Sequence, residues 1–398
     1  MPRSLWLLVI GMLINVMGSS FLWPLNTIYI HDHLGKSLTV AGVVLMVNAA
    51  ATVIGNLIGG VLFDKIGGYK TILIGISITL VSVTLLMFFH GWPTYTYLLI
   101  FIGFGSGIVF PATYALAGTV WPEGGRKPFN AIYVAQNVGV AAGASLGGIV
   151  ASLSFTYIFV ANALLYAVFF VIAVVGYRNI DDTNVSQTSF IEEKRKGNNG
   201  PKFQALVILC IGYLLCWVGY VQWSTTISSH TQNLDISLSK YSLLWTINGV
   251  LIVCAQPLIS QFVKYVAKTL KQQMVVGFGV FIVSYIVAMN AEQFTGFLVA
   301  MVILTFGEML IWPAVPTIAD SLAPKGRQGF YQGFVNSTAT GGRMIGPLLG
   351  GVIVDNYNMS LLFLVIIGLL IFGAITTAIY DKKLVRDNLC LIGGQSPY

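Results

Sequence analysis

Charge is what this chain has least of. Only 9% of its 398 residues are Asp, Glu, Lys or Arg, where a water-soluble domain carries about a quarter. Cysteine is nearly as scarce. Cys210, Cys216 and Cys254 fall in apolar stretches and Cys390 lies in the C-terminal tail. This pattern forms no disulfide framework and no CxxC metal site, so the thiols read as packing residues. The four histidines, His31, His33, His90 and His230, all fall near the ends of apolar stretches and read as solvated loop residues, not as zinc ligands. HExxH is absent, and Gly35-Lys36-Ser37 is a mere fragment of a phosphate loop, because Ile30 stands where its first glycine belongs. The expectation is therefore a non-enzyme without metal or cofactor. With no nucleotide-binding domain, any transport would run on a gradient or passively.

Hydrophobicity fills the chain instead: 56% of residues are apolar and the mean hydropathy is +0.81. Apolar blocks of about 20 residues, each long enough to cross a bilayer as a helix, recur along nearly its whole length. They begin near Leu5, Thr39, Lys70, Tyr95, Phe129, Phe155, Phe203, Leu238, Gln272, Phe294, Gln328 and Ser360. The alternating ten-residue pattern of outer-membrane barrels is missing. The expected fold is an all-α polytopic membrane protein with 12 transmembrane helices. The first block lacks a small-residue cleavage site and reads as a retained helix, not a signal peptide.

The net charge of +7 raises the question of nucleic acid, and placement answers it. Eighteen of the 21 basic residues sit at alternate loops and the termini, and the opposite loops hold Lys36 and Lys240. Arg343 is left inside an apolar block. The positive-inside rule then puts both termini and the long middle loop in the cytoplasm, in a multi-pass arrangement in the cell membrane. A basic face toward anionic lipid accounts for the charge without a nucleic-acid partner.

The stretch near Asp181–Pro201 is the one long polar interval and has the composition of a linker. It divides the chain into residues 1–180, a cytoplasmic linker 181–201, residues 202–385 and a tail 386–398. The two six-span halves are related in sequence. Phe104-Gly105 and Pro111-Ala112 return as Phe306-Gly307 and Pro313-Ala314. Gly143-Ala144-Ser145-Leu146-Gly147-Gly148 answers Gly346-Pro347-Leu348-Leu349-Gly350-Gly351, and Trp23 and Asn48 answer Trp223 and Asn248. Parallel six-span repeats are a transporter layout, with substrate bound near the midplane between pseudo-symmetric bundles.

One acid breaks this apolar background. Glu308 lies in the middle of the tenth block, about 21 Å deep at 1.5 Å per residue. Arg343 lies at about 22 Å in the eleventh by the same rise. A charge held at mid-bilayer costs about 2.5–3.5 kcal/mol on insertion scales and marks a pathway for substrate, ion or proton. A carboxyl that alternates between a cationic neighbour and a dry site would bind and release a proton. Glu308 and Arg343 are accordingly the candidate proton-coupling pair. The bland alternative is a static buried pair that fixes helix register.

Gly59-Gly60-Val61-Leu62-Phe63-Asp64-Lys65-Ile66-Gly67-Gly68-Tyr69-Lys70 resembles the loop between helices two and three of the major facilitator superfamily. The resemblance covers essentially the whole chain. It implies a cytoplasmic gate latch at Asp64, Lys65 and Lys70, although Gly68-Tyr69 replaces the family's frequent arginine pair. Gly143 and Gly147, with Gly346, Pro347 and Gly350, resemble the family's antiporter motif and read as hinge or packing residues, with proline at 347 and alanine at 144. In that fold, the cavity helices and their neighbours would bring Asn26, Phe110, Tyr133, Asn137, Trp217, Gln222, Trp245, Asn248 and Trp312 to the substrate. An aromatic cavity with few charges suits lipophilic or weakly polar compounds. The resemblance is greatest to bacterial drug:proton antiporters. It implies proton-coupled efflux of small hydrophobic or drug-like compounds by alternating access, with protons, substrate and lipid as partners and a monomer as the working unit. Phe101 stands where many of those antiporters have an arginine. A uniporter, an importer of one metabolite, or a lipid flippase on the same fold are the alternatives.

Overall fold

The computed structural model describes residues 1–22, 26–153, 155–178, 180 and 200–384. The linker segment 181–199, the tail 386–398 with Cys390, and Trp23 lie outside the described residues. Every regular element among those described is helical, the solution available to a spanning segment that must satisfy its own backbone in hydrocarbon. The long helices are α1 (Arg3–Leu22), α2 (Leu38–Ile66), α3 (Gly68–Leu86), α4 (Thr94–Val120), α5 (Lys127–Leu153) and α6 (Phe155–Gly176). They continue as α7 (Gly200–Tyr220), α8 (Leu238–Cys254), α9 (Leu270–Met289), α10 (Phe294–Leu322), α11 (Gln328–Asn356) and α12 (Met359–Ile379).

Among the described residues, nine helices are long and apolar enough to cross a membrane. A tenth span follows if α8 is joined to the helix Gln256–Tyr265, which departs from it at 57°. Pro257 explains that break: it lacks an N–H and its ring would strike the carbonyl one turn earlier. The remaining two, α5 and α11, run 27 and 29 residues. They are long enough to span but diluted by glycine, amides and hydroxyls. The count is thus consistent with the expected twelve.

The repeat shows in the helix ends as well. The Ser37 hydroxyl accepts the Val40 N–H at 3.3 Å at the start of α2, and Ser237 accepts from Lys240 at 3.4 Å at the start of α8. Each satisfies one of the N–H groups that a helix leaves unpaired at its start. α9 begins with a reciprocal cap between Thr269 and Gln272.

Contacts divide the chain into two compact units. One holds Met1–Gln187 with Lys325–Gly341, and the other holds Thr188–Pro324 with Gly342–Tyr398. The first part of α11 therefore belongs to the first unit and the remainder to the second. In the first unit α2 packs on α4, α1 on α5 and α6, and α3 on α4 and α6, around the fully buried rings of Phe63, Tyr95, Phe129, Phe159 and Tyr166. In the second, α9 packs on α10 and α12, α7 on α12, and α8 on α10, around Trp223, Phe278, Phe281 and Tyr285.

The α1–α5 and α7–α11 contacts are each lined by glycine at a four-residue spacing, which keeps the small residues on one helical face. In the first unit, Gly139, Gly143 and Gly147 of α5 lie against Leu13, Met17, Ser20 and Phe21 of α1. In the second, Gly342, Gly346 and Gly350 of α11 lie against Trp217, Val218, Val221 and Gln222 of α7 and the residues that follow it. A side chain at Gly139 would stand 2.7 Å from the Leu13 carbonyl, and one at Gly346 3.0 Å from the Val218 carbonyl. Backbone approach this close is what small residues permit between membrane helices.

Candidate functional site

Two arrangements carry the polar chemistry, one in each unit. In the first, the last turn of α2 meets the first turn of α11. Asp64 is 6% exposed, and its two carboxylate oxygens accept the backbone N–H groups of Gly329 at 2.7 Å and Phe330 at 2.9 Å. Those amides belong to the N-terminal turn, where N–H groups have no intrahelical partner and the helix end is partly positive. Arg327 adds positive charge nearby. Lys65 and Lys70 are exposed. The contact extends along α2, where Gly60 abuts Gly329, the Asn56 carbonyl abuts Gly333, and the Ser337 hydroxyl donates to the Val53 carbonyl at 3.1 Å. The Asn56 amide donates to the Thr340 hydroxyl at 3.4 Å.

In the second unit, α10 holds Glu308 at 2% exposure. The Asn248 amide of α8 donates to its carboxylate at 2.5 Å and to the Thr305 hydroxyl at 2.9 Å. Thr305 lies three residues before Glu308, so both face α8 from one side of α10. The Tyr220 hydroxyl and the Trp312 indole also face the carboxylate. Around this acid stands a box of rings. Trp217 stacks on Trp312 with centroids 4.6 Å apart and planes 7° from parallel. Tyr213 meets Trp217 at 6.2 Å and Trp312 at 5.6 Å, edge to face. Tyr220 meets Trp217 at 5.3 Å, Trp312 at 5.4 Å and Trp245 at 6.1 Å, and Phe281 closes on Trp312 at 5.8 Å. Edge-to-face and offset pairs of this kind contribute about 0.5–1.5 kcal/mol each beyond burial. The Arg343 guanidinium lies over the Trp217 ring at 5.0 Å.

The two mid-membrane charges thus meet different partners, Glu308 an amide and Arg343 an indole. Of four residues expected at the substrate, Asn248 and Trp312 face Glu308, and Trp217 and Trp245 join the same box through Trp312 and Tyr220. Gln222 goes elsewhere. It is fully buried, its amide nitrogen donates to the Val218 and Gly346 carbonyls at 3.0 and 2.7 Å, and its oxygen accepts the Thr226 hydroxyl at 2.7 Å. Against Gly350, this side chain clamps the α7–α11 seam.

The candidates of the first unit do not form a comparable box. Asn26 accepts the Tyr95 hydroxyl at 2.7 Å, beside a cluster of Tyr29, His33, His90 and Phe159. Phe110 is packed against the unit's apolar core. The Asn137 amide returns to the Tyr133 carbonyl of its own helix at 2.9 Å. Tyr133 is buried and lies near Arg126, whose guanidinium is pulled down to about 10 by burial, with Tyr133 acting in the opposite direction. Pro347 lies within α11, and Gly143, Gly147, Gly346 and Gly350 lie in the two seams.

Tyr213, Phe281 and Thr305 were not singled out from sequence. Tyr213, Trp217 and Tyr220 follow each other at i, i+4 and i+7, the spacing of one helical face, and that was the available signal.

A helical membrane protein with two halves related in sequence and a buried acid in an aromatic box has the attributes of a transporter. The sequence profile of the Major Facilitator Superfamily matches residues 8–342 and 231–388, and the chain belongs to that family. It is 64% identical over 384 residues, 96% of each chain, to the uncharacterized MFS-type transporter YttB of Bacillus subtilis strain 168. It is 25% identical over 399 residues to the quinolone resistance protein NorA of Staphylococcus aureus strain COL, covering 98% of this chain and 100% of NorA. Among solved structures, the human organic anion transporter MFSD10 superposes with a TM-score of 0.75 at 14% identity, covering 95% of this chain and all of that one. The POT family transporter PepTSo superposes at 0.70 and 16% identity, covering 96% and 98%. These two establish the fold.

Proposed function

We propose that this transporter exports small hydrophobic or drug-like compounds in exchange for protons, by alternating access, with Glu308 as the proton carrier. The observation that carries this reading is the Glu308 carboxyl, 2% exposed, held by a neutral amide within a box of aromatic rings. Such a group changes its proton affinity when it passes between a dry environment and one facing water or a cation. The surrounding rings offer flat apolar surface to a lipophilic guest. The name of NorA, a quinolone resistance protein, supports efflux as the direction.

On this reading Asp64 is the gate. Its hold on the first turn of α11 must be released in each cycle, and Lys65 and Lys70 lie beside it on the cytoplasmic face. The glycine seams act as sliding surfaces, and the halves 1–180 and 202–385 act as the two bundles, joined by 181–201 and followed by a cytoplasmic tail. A monomer in the cell membrane, with both termini cytoplasmic, suffices for the cycle.

The test is flux in proteoliposomes under an imposed pH gradient, across a panel of neutral, cationic and anionic aromatic compounds. Efflux coupled to proton uptake is expected. Accumulation of one metabolite on the cytoplasmic side, or movement independent of the gradient, would replace this reading with an importer or a uniporter. Scrambling of labelled phospholipid would replace it with a flippase.

A further inference from the structure

The glycine seam of α11 fixes more than helix spacing. A side chain at Gly342 would stand 2.5 Å from Trp217 Cβ and 2.8 Å from the Leu214 carbonyl, so α11 and α7 touch backbone to backbone here. The next residue is Arg343. Close contact at 342 is what brings its guanidinium to 5.0 Å from the Trp217 ring centroid. Trp217 in turn stacks on Trp312 at 4.6 Å, and Trp312 faces the Glu308 carboxylate. The order across the box is guanidinium, indole, indole, carboxyl.

A cation within about 6 Å over an indole face is held by the ring quadrupole, and indole is the strongest such surface among the side chains. Arginine stays charged in proteins and stacks readily on aromatic planes. The seat that an aromatic box offers to a positively charged ligand is therefore already taken by a cation of the protein itself.

We propose that Arg343 sets the charge preference of this pocket, so that flat neutral or anionic ligands bind in preference to cations of the same shape. The proposal rests on the reading of the aromatic box as the substrate site. A cationic guest would have to displace the guanidinium or lie beside it, and like charges at such short range repel. An anionic guest meets attraction at the same place. When Glu308 carries its proton, this preference is at its greatest, because the box then keeps the arginine charge without the carboxylate.

The probes are three pyrene derivatives of nearly equal shape: 1-pyrenecarboxylate, 1-pyrenemethanol and 1-pyrenemethylammonium. Binding to the full-length protein in detergent micelles is read by energy transfer from tryptophan, with no gradient applied. The wild type is expected to bind the carboxylate and the alcohol about tenfold more tightly than the ammonium, the scale of one cation–π contact. Arg343→Gln is expected to raise affinity for the ammonium about tenfold and lower that for the carboxylate, while Arg343→Lys keeps the wild-type order.

Equal binding of ammonium and carboxylate by the wild type overturns the proposal without recourse to any variant. An unchanged ratio in a folded Arg343→Gln protein does the same. Failure of all three probes to bind overturns the pocket as well as its preference. Because the readout is binding, loss of proton coupling in the flux assay leaves this result standing, and the two failures are separable.

Discussion

The two sequence halves are built to one recipe and differ in what they were given to hold. α5 and α11 each lay glycines at a four-residue spacing against a partner helix, and α4 and α10 carry Pro111 and Pro313 at matching places. Yet the residues that correspond to Glu308 and Arg343 in the first half are Ser106 and Val140. The consequence is visible in what surrounds them. Around Glu308 the second unit gathers Asn248, Thr305, Tyr220 and a stack of indoles. In the first unit, Asn26 accepts the Tyr95 hydroxyl and Asn137 donates to its own helix. The framework occurs twice, while a buried acid within an aromatic box is found in the second half.

The sharpest way to break that comparison is to remove the acid. Glu308→Gln is expected to reduce pH-gradient-driven flux in proteoliposomes to background, a loss of about a hundredfold or more for a positioned proton carrier. Ser106→Ala, at the corresponding place, is expected to leave it unchanged. Normal gradient-driven flux in the glutamine variant would place the proton elsewhere.

The seams come next. Leucine at Gly143 or at Gly346 is expected to destabilise the protein by about 1–3 kcal/mol, the usual range for overpacking, measured by thermal melting in detergent. Ligand affinity separates the two. The Gly346 variant should alter pyrene binding because its seam seats Arg343, and the Gly143 variant should not.

Asp64→Asn is expected to weaken the start of α11 by about 1 kcal/mol, since an amide lacks the charge that favours a helix N-terminus. Amide hydrogen exchange at Gly329 and Phe330 should then quicken. The smallest effect is at Lys271, which meets Asp381 at 2.6 Å with both side chains about a third exposed. Lys271→Ala should cost about 0.2–1 kcal/mol, and Lys70→Ala in the first half should cost less.

Much of this was legible in the sequence. Glu308 stood out because an acid in an apolar block is rare, and Asn248, Trp245, Trp217 and Trp312 stood out as polar or amphipathic side chains at helical depth. Tyr213 and Phe281 did not, because an aromatic residue within an apolar span has the look of ordinary packing. Gln222 was expected at the substrate for being an amide in a cavity helix. Its actual partners are backbone carbonyls and a hydroxyl, and carbonyls leave no mark in a sequence. The same is true of Asp64: the acid was visible, but its partners are N–H groups that every residue but proline possesses. α5 and α11 are long enough to span but too diluted with glycine and polar side chains to pass on apolarity. That dilution is the price of the seams.

The backbone amides that Asp64 holds and Arg343 lie on one helix. Gly329 and Arg343 belong to the same unbroken α11, 14 residues apart in number, or about 21 Å along the axis. A helix resists compression, so a shift at its foot is delivered at mid-height as a tilt or a slide. Asp64→Asn is therefore expected to change pyrene affinity as well as the start of α11, because a single helix carries both ends of that comparison.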